Sequence, residues 1–73
     1  MADSFWRSYL PVSHSAARAG SLDEAIERIR AAIDHHAVLA NDRRFRESRR
    51  RYAAAEVASL ERHLEKLEGL RHG

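Results

Sequence analysis

The chain has 73 residues and a formal net charge of +2 at pH 7, and it contains no cysteine. This length allows at most one domain, and the lack of cysteine excludes disulfides and thiolate metal sites. No apolar run approaches the roughly 20 residues of a membrane-spanning helix, so the chain is not expected to span a membrane. Because chains this small usually need a disulfide, a metal or a partner to be well ordered, we expect a partner to stabilise it.

Residues 1–20 lack the periodicity of a regular element and are predicted to form an irregular tail, in which Pro11 interrupts any helix. Three of the five aromatic residues lie in this tail, namely Phe5, Trp6 and Tyr9. Aromatic side chains so concentrated in a short chain are typical of an anchor that packs on another surface. We therefore expect these three side chains to bind a neighbouring protein or an RNA groove.

A first helix is predicted over about residues 21–40. Ser21 and Glu24 have the spacing of a capping box, in which each side chain bonds a backbone N–H of the first turn. Apolar residues then recur on one face with the helical period, at Leu22, Ala25, Ile26, Ile29, Ala32, Ile33, Ala37 and Ala40. This face is expected to bury against a partner or against the second helix.

A second helix is predicted over about residues 42–70, after a break at Asn41 and Asp42, either of which could cap it. Gly69 and Gly73 are expected to fray or end this helix. A three-four-three spacing of apolar residues, typical of a seam between two helices, is predicted to bind a partner and comprises Val57, Leu60, Leu64 and Leu67. The predicted fold is all-α, with two extended helices, or three, an irregular N-terminal tail and no independent globular core.

The strongest functional signal is residues 43–51, which we call the arginine block. Only Glu47 opposes its six arginines, so the block carries +5, more than the whole chain. Arginine grips phosphate with two parallel hydrogen bonds, and the flanking Tyr52 can stack on an unpaired base. We predict that an arginine-rich helix binds RNA through Arg43, Arg44, Arg46, Arg49, Arg50, Arg51 and Tyr52. The alternative is a solvated or ion-paired surface that serves a protein partner.

The sequence gives no support for an enzyme, a cofactor or a small-molecule substrate. No nucleophile and base lie at a meaningful spacing, and no glycine-rich phosphate loop is present. His35 and His36 are adjacent, and adjacent helical residues point about 100° apart, so they are not expected to hold one metal. We therefore predict no catalytic residues and no metal site.

Several short stretches match a known pattern without a gap, from Ala25-Ile26 through residues 28–30 and 37–40 to Arg43-Arg44. After a shortening of about three residues, residues 49–51 fall in the pattern's second basic cluster. In these stretches the chain resembles the small-ribosomal-subunit protein family numbered twenty-one, found in bacteria and mitochondria.

The resemblance implies a helical protein laid on ribosomal RNA, beside neighbouring ribosomal proteins, as one subunit of a large complex. It also implies a location in the mitochondrial matrix, or in the cytoplasm if the chain is bacterial. In this setting we expect Arg28 and Arg30 to make secondary RNA contacts.

A different class of protein fits the leucine seam. Helices rich in alanine, arginine and glutamate that end in such a seam also resemble the mitochondrial ATP synthase inhibitor family, or a helical accessory subunit of a respiratory complex. These proteins act by protein–protein contact. This alternative leaves the arginine density and the match from Ala25 to Arg44 unexplained.

Overall fold

The computed structural model of the protein describes residues 2–10 and 14–72, with the backbone alone for residues 2–4. Two α-helices dominate it, α1 (Leu22–Asn41) and α2 (Glu47–His72), and two 3₁₀ segments (Ala2–Tyr9 and Ser15–Arg18) precede them. No strand occurs in the described ranges. The all-α class with two helices and a short N-terminal region is therefore confirmed. The predicted interruption at Pro11 lies outside the described residues.

The start of α1 follows the predicted capping box. Ser21 Oγ accepts a hydrogen bond from the backbone N–H of Glu24 at 3.1 Å, and the Glu24 carboxylate accepts one from the backbone N–H of Gly20. The bond from Gly20, helped by the charge of Arg28, lowers the pKa of Glu24. The predicted bounds of this helix differ from the observed ones by one residue at each end.

The connection between the helices, residues 42–46, differs from the prediction. The Asp42 carboxylate accepts a hydrogen bond from the backbone N–H of Arg44 at 3.0 Å, and the Phe45 N–H donates to the Asp42 carbonyl at 3.1 Å. Such local bonds from an aspartate compete with helix formation. As a result α2 begins at Glu47, five residues later than expected, and the arginine block is not one continuous helix. Arg43, Arg44 and Arg46 lie in the connection.

The two helices are antiparallel and end together on the side away from the connection. Asp23 in the first turn of α1 pairs with Arg71 in the last turn of α2 at 3.1 Å. α2 continues through Gly69 to His72, two residues beyond the predicted end, and Gly73 lies outside the described residues. Since α2 has 26 residues and α1 has 20, the additional length of α2, about 9 Å, projects at the connection.

The molecule is elongated, with principal extents of 45 × 21 × 15 Å. Its radius of gyration is 13.4 Å, against about 11 Å expected for a compact domain of this length. None of the described helices is long and apolar enough to cross a membrane.

A small hydrophobic core joins both helices to the N-terminal segments, so the expectation of no independent core is corrected. Its members come from all four elements or their flanks and are Trp6, Leu10, Ala16, Ala19, Ala25, Ile26, Ile29, Leu60 and Leu67. Trp6, Leu60 and Leu67 were predicted to bind a partner, but each is at most 4% exposed and is buried within the chain. The reason is that the connection folds α2 back on α1, which gives the leucine seam an internal partner. Val57 and Leu64 are half-buried.

The N-terminal segments are held on the helices by polar contacts as well as by the core. The Arg7 guanidinium donates to the Ala19 carbonyl at 2.6 Å and lies over the Trp6 ring, 4.5 Å from its centroid. The Arg28 guanidinium donates to the Ser15 carbonyl at 2.7 Å. The aromatic tail is therefore anchored on its own chain.

Candidate nucleic-acid interface

The arginines of the block lie together at one end of the molecule. This end, which we call the arginine tip, consists of residues 42–52: the connection and the projecting first turns of α2. It contains all six arginines of the block against Asp42 and Glu47, a net charge of +4. The core lies toward the opposite end, so the rest of the fold covers little of the tip. The charged side chains of the tip are therefore accessible to a partner.

Two of these arginines are paired with carboxylates inside the tip. Arg44 Nη2 lies 2.7 Å from Asp42 Oδ2, and Arg51 Nη2 lies 2.8 Å from Glu47 Oε1. Side-chain and backbone hydrogen bonds from Arg44 lower the pKa of Asp42 to about 2, so this carboxylate is ionised at neutral pH. The Arg44 side chain is nevertheless 88% exposed, which leaves guanidinium N–H groups for another acceptor.

The other four arginines have no acidic partner among the described residues. Arg43 and Arg46 are exposed, and the Arg49 guanidinium lies over the Phe45 ring, 4.9 Å from its centroid. Arg50 is half-buried, and its Nε atom is enclosed without a hydrogen-bond acceptor. Four guanidinium groups uncompensated by carboxylates form a surface suited to phosphate.

Tyr52 completes the tip on α2. Its side chain is 69% exposed, the highest value among the large hydrophobic residues described. Ala53, the next residue, is buried, which shows where the projecting part of α2 ends and its packing begins. Tyr52 therefore stands at the border of the tip with its ring in solvent.

The two arginines expected to make secondary contacts are not part of the tip. Arg28 is engaged by Glu24 at 3.1 Å in addition to the Ser15 carbonyl, and Arg30 pairs with Glu68 at 2.6 Å. Both lie in the half of α1 that packs on the core. The structure thus brings together seven of the nine predicted RNA-binding residues. The other two, Arg28 and Arg30, make contacts within the fold.

The predicted anchor residues separate into two groups. Trp6 is in the core, whereas Phe5 and Tyr9 are 53% and 40% exposed. The 3₁₀ segment that carries them packs on both helices near the core. These two exposed rings therefore lie away from the arginine tip.

Two of the five histidines contact each other. The rings of His35 and His36 meet edge-on with their centroids 5.5 Å apart. In the part of the chain that the structure describes, no three histidine or carboxylate side chains are placed to hold one ion. His14 lies near His63 and His36, and burial, followed by the charges of these two histidines, lowers its pKa.

An open groove lies beside the tip, on the outer face of the last turns of α1. Ala37 and Val38 lie in its lining, which carries both signs of charge, with Asp34 and Asp42 against Arg43 and Arg44. This mixture does not select one class of charged ligand, so the groove adds no site to the arginine tip.

The comparison with known proteins gives no family: no protein-family model, no curated protein and no solved structure matches this chain. The likeness to the small-ribosomal-subunit family therefore stays a prediction.

Two features of the tip were not predicted from the sequence. The ion pair between Asp42 and Arg44 depends on the turn of the connection. Aspartate favours such a turn, because its side chain accepts a bond from the backbone two residues on. The contact between Phe45 and Arg49 spans the end of the connection and the start of α2. The two residues have the i, i+4 spacing of helix neighbours, although only residue 49 of this pair is helical.

Proposed function

We propose that this protein binds RNA through the arginine tip. The observation that carries the proposal is the concentration of four arginines without acidic partners on a projecting end of the molecule. Arginine-rich surfaces bind the RNA backbone by releasing its counterions. The two ion pairs in the tip are solvent-exposed on the arginine side and are therefore weak enough for a phosphate to compete with the carboxylate.

We place this binding, again as a proposal, in a small ribosomal subunit. Support comes from the resemblance, which implies ribosomal RNA and neighbouring ribosomal proteins as partners. Ala25, Ile26 and Ile29, which carry part of that resemblance, are buried in the core, so packing also accounts for them. The remaining support is the arginine pair at 43–44 and the cluster at 49–51, both of which lie in the tip.

The rival class, an inhibitor or accessory subunit that binds a protein, was suggested by the leucine seam. Leu60 and Leu67 are buried within this chain, and Leu64 packs partly against the same core. The internal packing of the two helices thus accounts for the seam without a second protein. The exposed Phe5 and Tyr9 remain as a surface for a neighbouring protein of the same assembly.

The proposal is tested by sedimenting a lysate that contains the tagged full-length chain. We expect the chain to migrate with small ribosomal subunits and to leave them after RNase treatment. A triple variant Arg43→Gln, Arg46→Gln and Arg50→Gln is expected to stay at the top of the gradient, because it loses three of the four uncompensated charges.

The matched control removes the same charge elsewhere, in the variant Arg18→Gln, Arg62→Gln and Lys66→Gln, whose three positions are exposed and outside the tip. It is expected to migrate like the wild-type chain. Migration with a membrane complex that RNase does not change would contradict both the RNA proposal and its ribosomal setting.

A further inference from the structure

We propose that the arginine tip selects unpaired RNA, and that it stacks a splayed base on Tyr52 next to the Arg49–Phe45 pair. This inference rests on the proposed function and deepens it, because phosphate binding alone does not distinguish single strands from duplexes. The inference names single-stranded RNA as the ligand of the tip and gives Tyr52 and Phe45 a role in binding it.

Tyr52 is the first part of the argument. Its ring is 69% exposed. Within the described residues, it makes no ring–ring or cation–π contact, and its hydroxyl makes no hydrogen bond. Packing within the fold therefore does not explain this aromatic side chain. An exposed aromatic ring among arginines is typical of a site where an RNA base stacks on the ring and arginines bind the backbone.

The Arg49–Phe45 pair is the second part. The Phe45 ring lies under the Arg49 guanidinium at 4.9 Å, and no carboxylate engages Arg49. Arg49 is exposed although it contacts the ring, so part of its guanidinium remains available to a ligand. A guanidinium plane stacks on bases as aromatic rings do, and its edge binds phosphate at the same time.

The two parts are neighbours on α2. Arg49 and Tyr52 are three residues apart, a spacing that places side chains side by side on a helix surface, with about 5–6 Å between Cβ atoms. Tyr52 therefore lies beside Arg49, and Arg49 in turn contacts Phe45. Arg43 and Arg46 are exposed in the same tip and are available for the backbone of a strand whose base is stacked.

Duplex RNA does not fit this surface. In an A-form helix the base faces are stacked on one another, and the major groove is too deep and narrow for side chains to read. A duplex can therefore use the arginines but not the ring of Tyr52. An aromatic–arginine surface also occurs at protein interfaces, but a charge of +4 in residues 42–52 favours the polyanion.

The test measures the affinity of the full-length protein for a short RNA of mixed sequence, single-stranded and annealed to its complement, by fluorescence anisotropy. Tyr52→Leu is expected to weaken single-strand binding about 5- to 150-fold, the range for loss of one stacked base. Duplex affinity should not change. Tyr52→Phe is the matched control: it keeps the ring and should bind the single strand as the wild-type chain does, within about two-fold.

Three outcomes decide between the claims. Equal single-strand affinity of Tyr52→Leu and wild type overturns the inference, as does an equal loss for duplex and single strand. The triple variant Arg43→Gln, Arg46→Gln and Arg50→Gln separates the proposals, because its loss of all RNA binding supports the proposed function whatever Tyr52 does. If instead a protein from the assembly binds the tip with no RNA present and Tyr52→Leu abolishes that contact, the stacking assignment is overturned.

Discussion

At the scale of single residues, Trp6 is the largest side chain in the core, and it comes from the segment outside the two α-helices. It is 2% exposed and is covered on one side by Arg7. The aliphatic and alanine residues around it come from the second 3₁₀ segment and from both helices. Trp6 therefore links the N-terminal segment to the helical hairpin.

We expect Trp6→Ala to lower the free energy of unfolding by about 3–5 kcal/mol, the usual range for truncating a buried aromatic residue. Stability of about 4–11 kcal/mol is typical of a domain this size, so a large part would be lost. Urea denaturation followed by circular dichroism measures the change. Phe5→Ala is the control, since Phe5 is more than half exposed and its loss should change stability by about 0.5 kcal/mol or less. Equal losses for the two variants would show that Trp6 is not a core residue.

At the scale of elements, the helices were more predictable than the segments that join them. The start of α1 follows from Ser21 and Glu24, because the two residues of a capping box are only three positions apart in the sequence. The sequence predicts too early a start for α2. Arginine favours a helix, but the Arg44 N–H donates to the Asp42 carboxylate, and this local bond competes with the helix. The sequence predicts that Trp6, Leu60 and Leu67 bind a partner, because apolar content and spacing identify side chains that need cover. They do not identify what covers them, which in the structure is the same chain.

The second 3₁₀ segment is capped by a histidine whose neutral form makes the capping bond. His14 Nδ1 accepts a hydrogen bond from the backbone N–H of Ala16 at 3.0 Å, and Ala16 is fully buried. A protonated Nδ1 cannot accept this bond. Burial, with a further contribution from His63 and His36 against that of Glu56, lowers the pKa of His14 from its usual 6.5.

We therefore expect stability to fall as the pH drops below 6.5. As the pH falls, His14 is protonated at a higher pH in the unfolded chain than in the folded chain, because folding lowers its pKa from 6.5. Neutral His14 therefore makes its full contribution to the free energy of unfolding above pH 6.5. This contribution is lost as the pH falls through the pKa of the folded chain. His14→Asn keeps a side-chain acceptor but does not titrate. Thermal unfolding at about pH 7.5 and about pH 5 should show a smaller difference for this variant than for the wild type. The same difference in both would rule out His14 as the cause.

At the scale of the whole molecule, charge and core are at opposite ends of a rod 45 Å long. The arginine block carries +5 and the rest of the chain −3. A core at one end holds the helices in register, and the longer α2 carries part of the block beyond the end of α1. The charge of the block follows from the sequence by counting residues. That the block projects beyond α1 depends on the relative lengths of the two packed helices and on the connection, and the sequence does not show this.

The central claim, that the arginine tip binds RNA phosphates, is tested most directly by the salt dependence of RNA affinity. Four or five phosphate contacts predict that the logarithm of the binding constant falls against that of the salt concentration with a slope of about −3 to −4.5. In the variant Arg43→Gln, Arg46→Gln and Arg50→Gln, loss of three contacts should make the slope about 2 to 3 less negative. In the control variant Arg18→Gln, Arg62→Gln and Lys66→Gln the slope should not change. Equal slopes for the tip variant and the control would contradict the account.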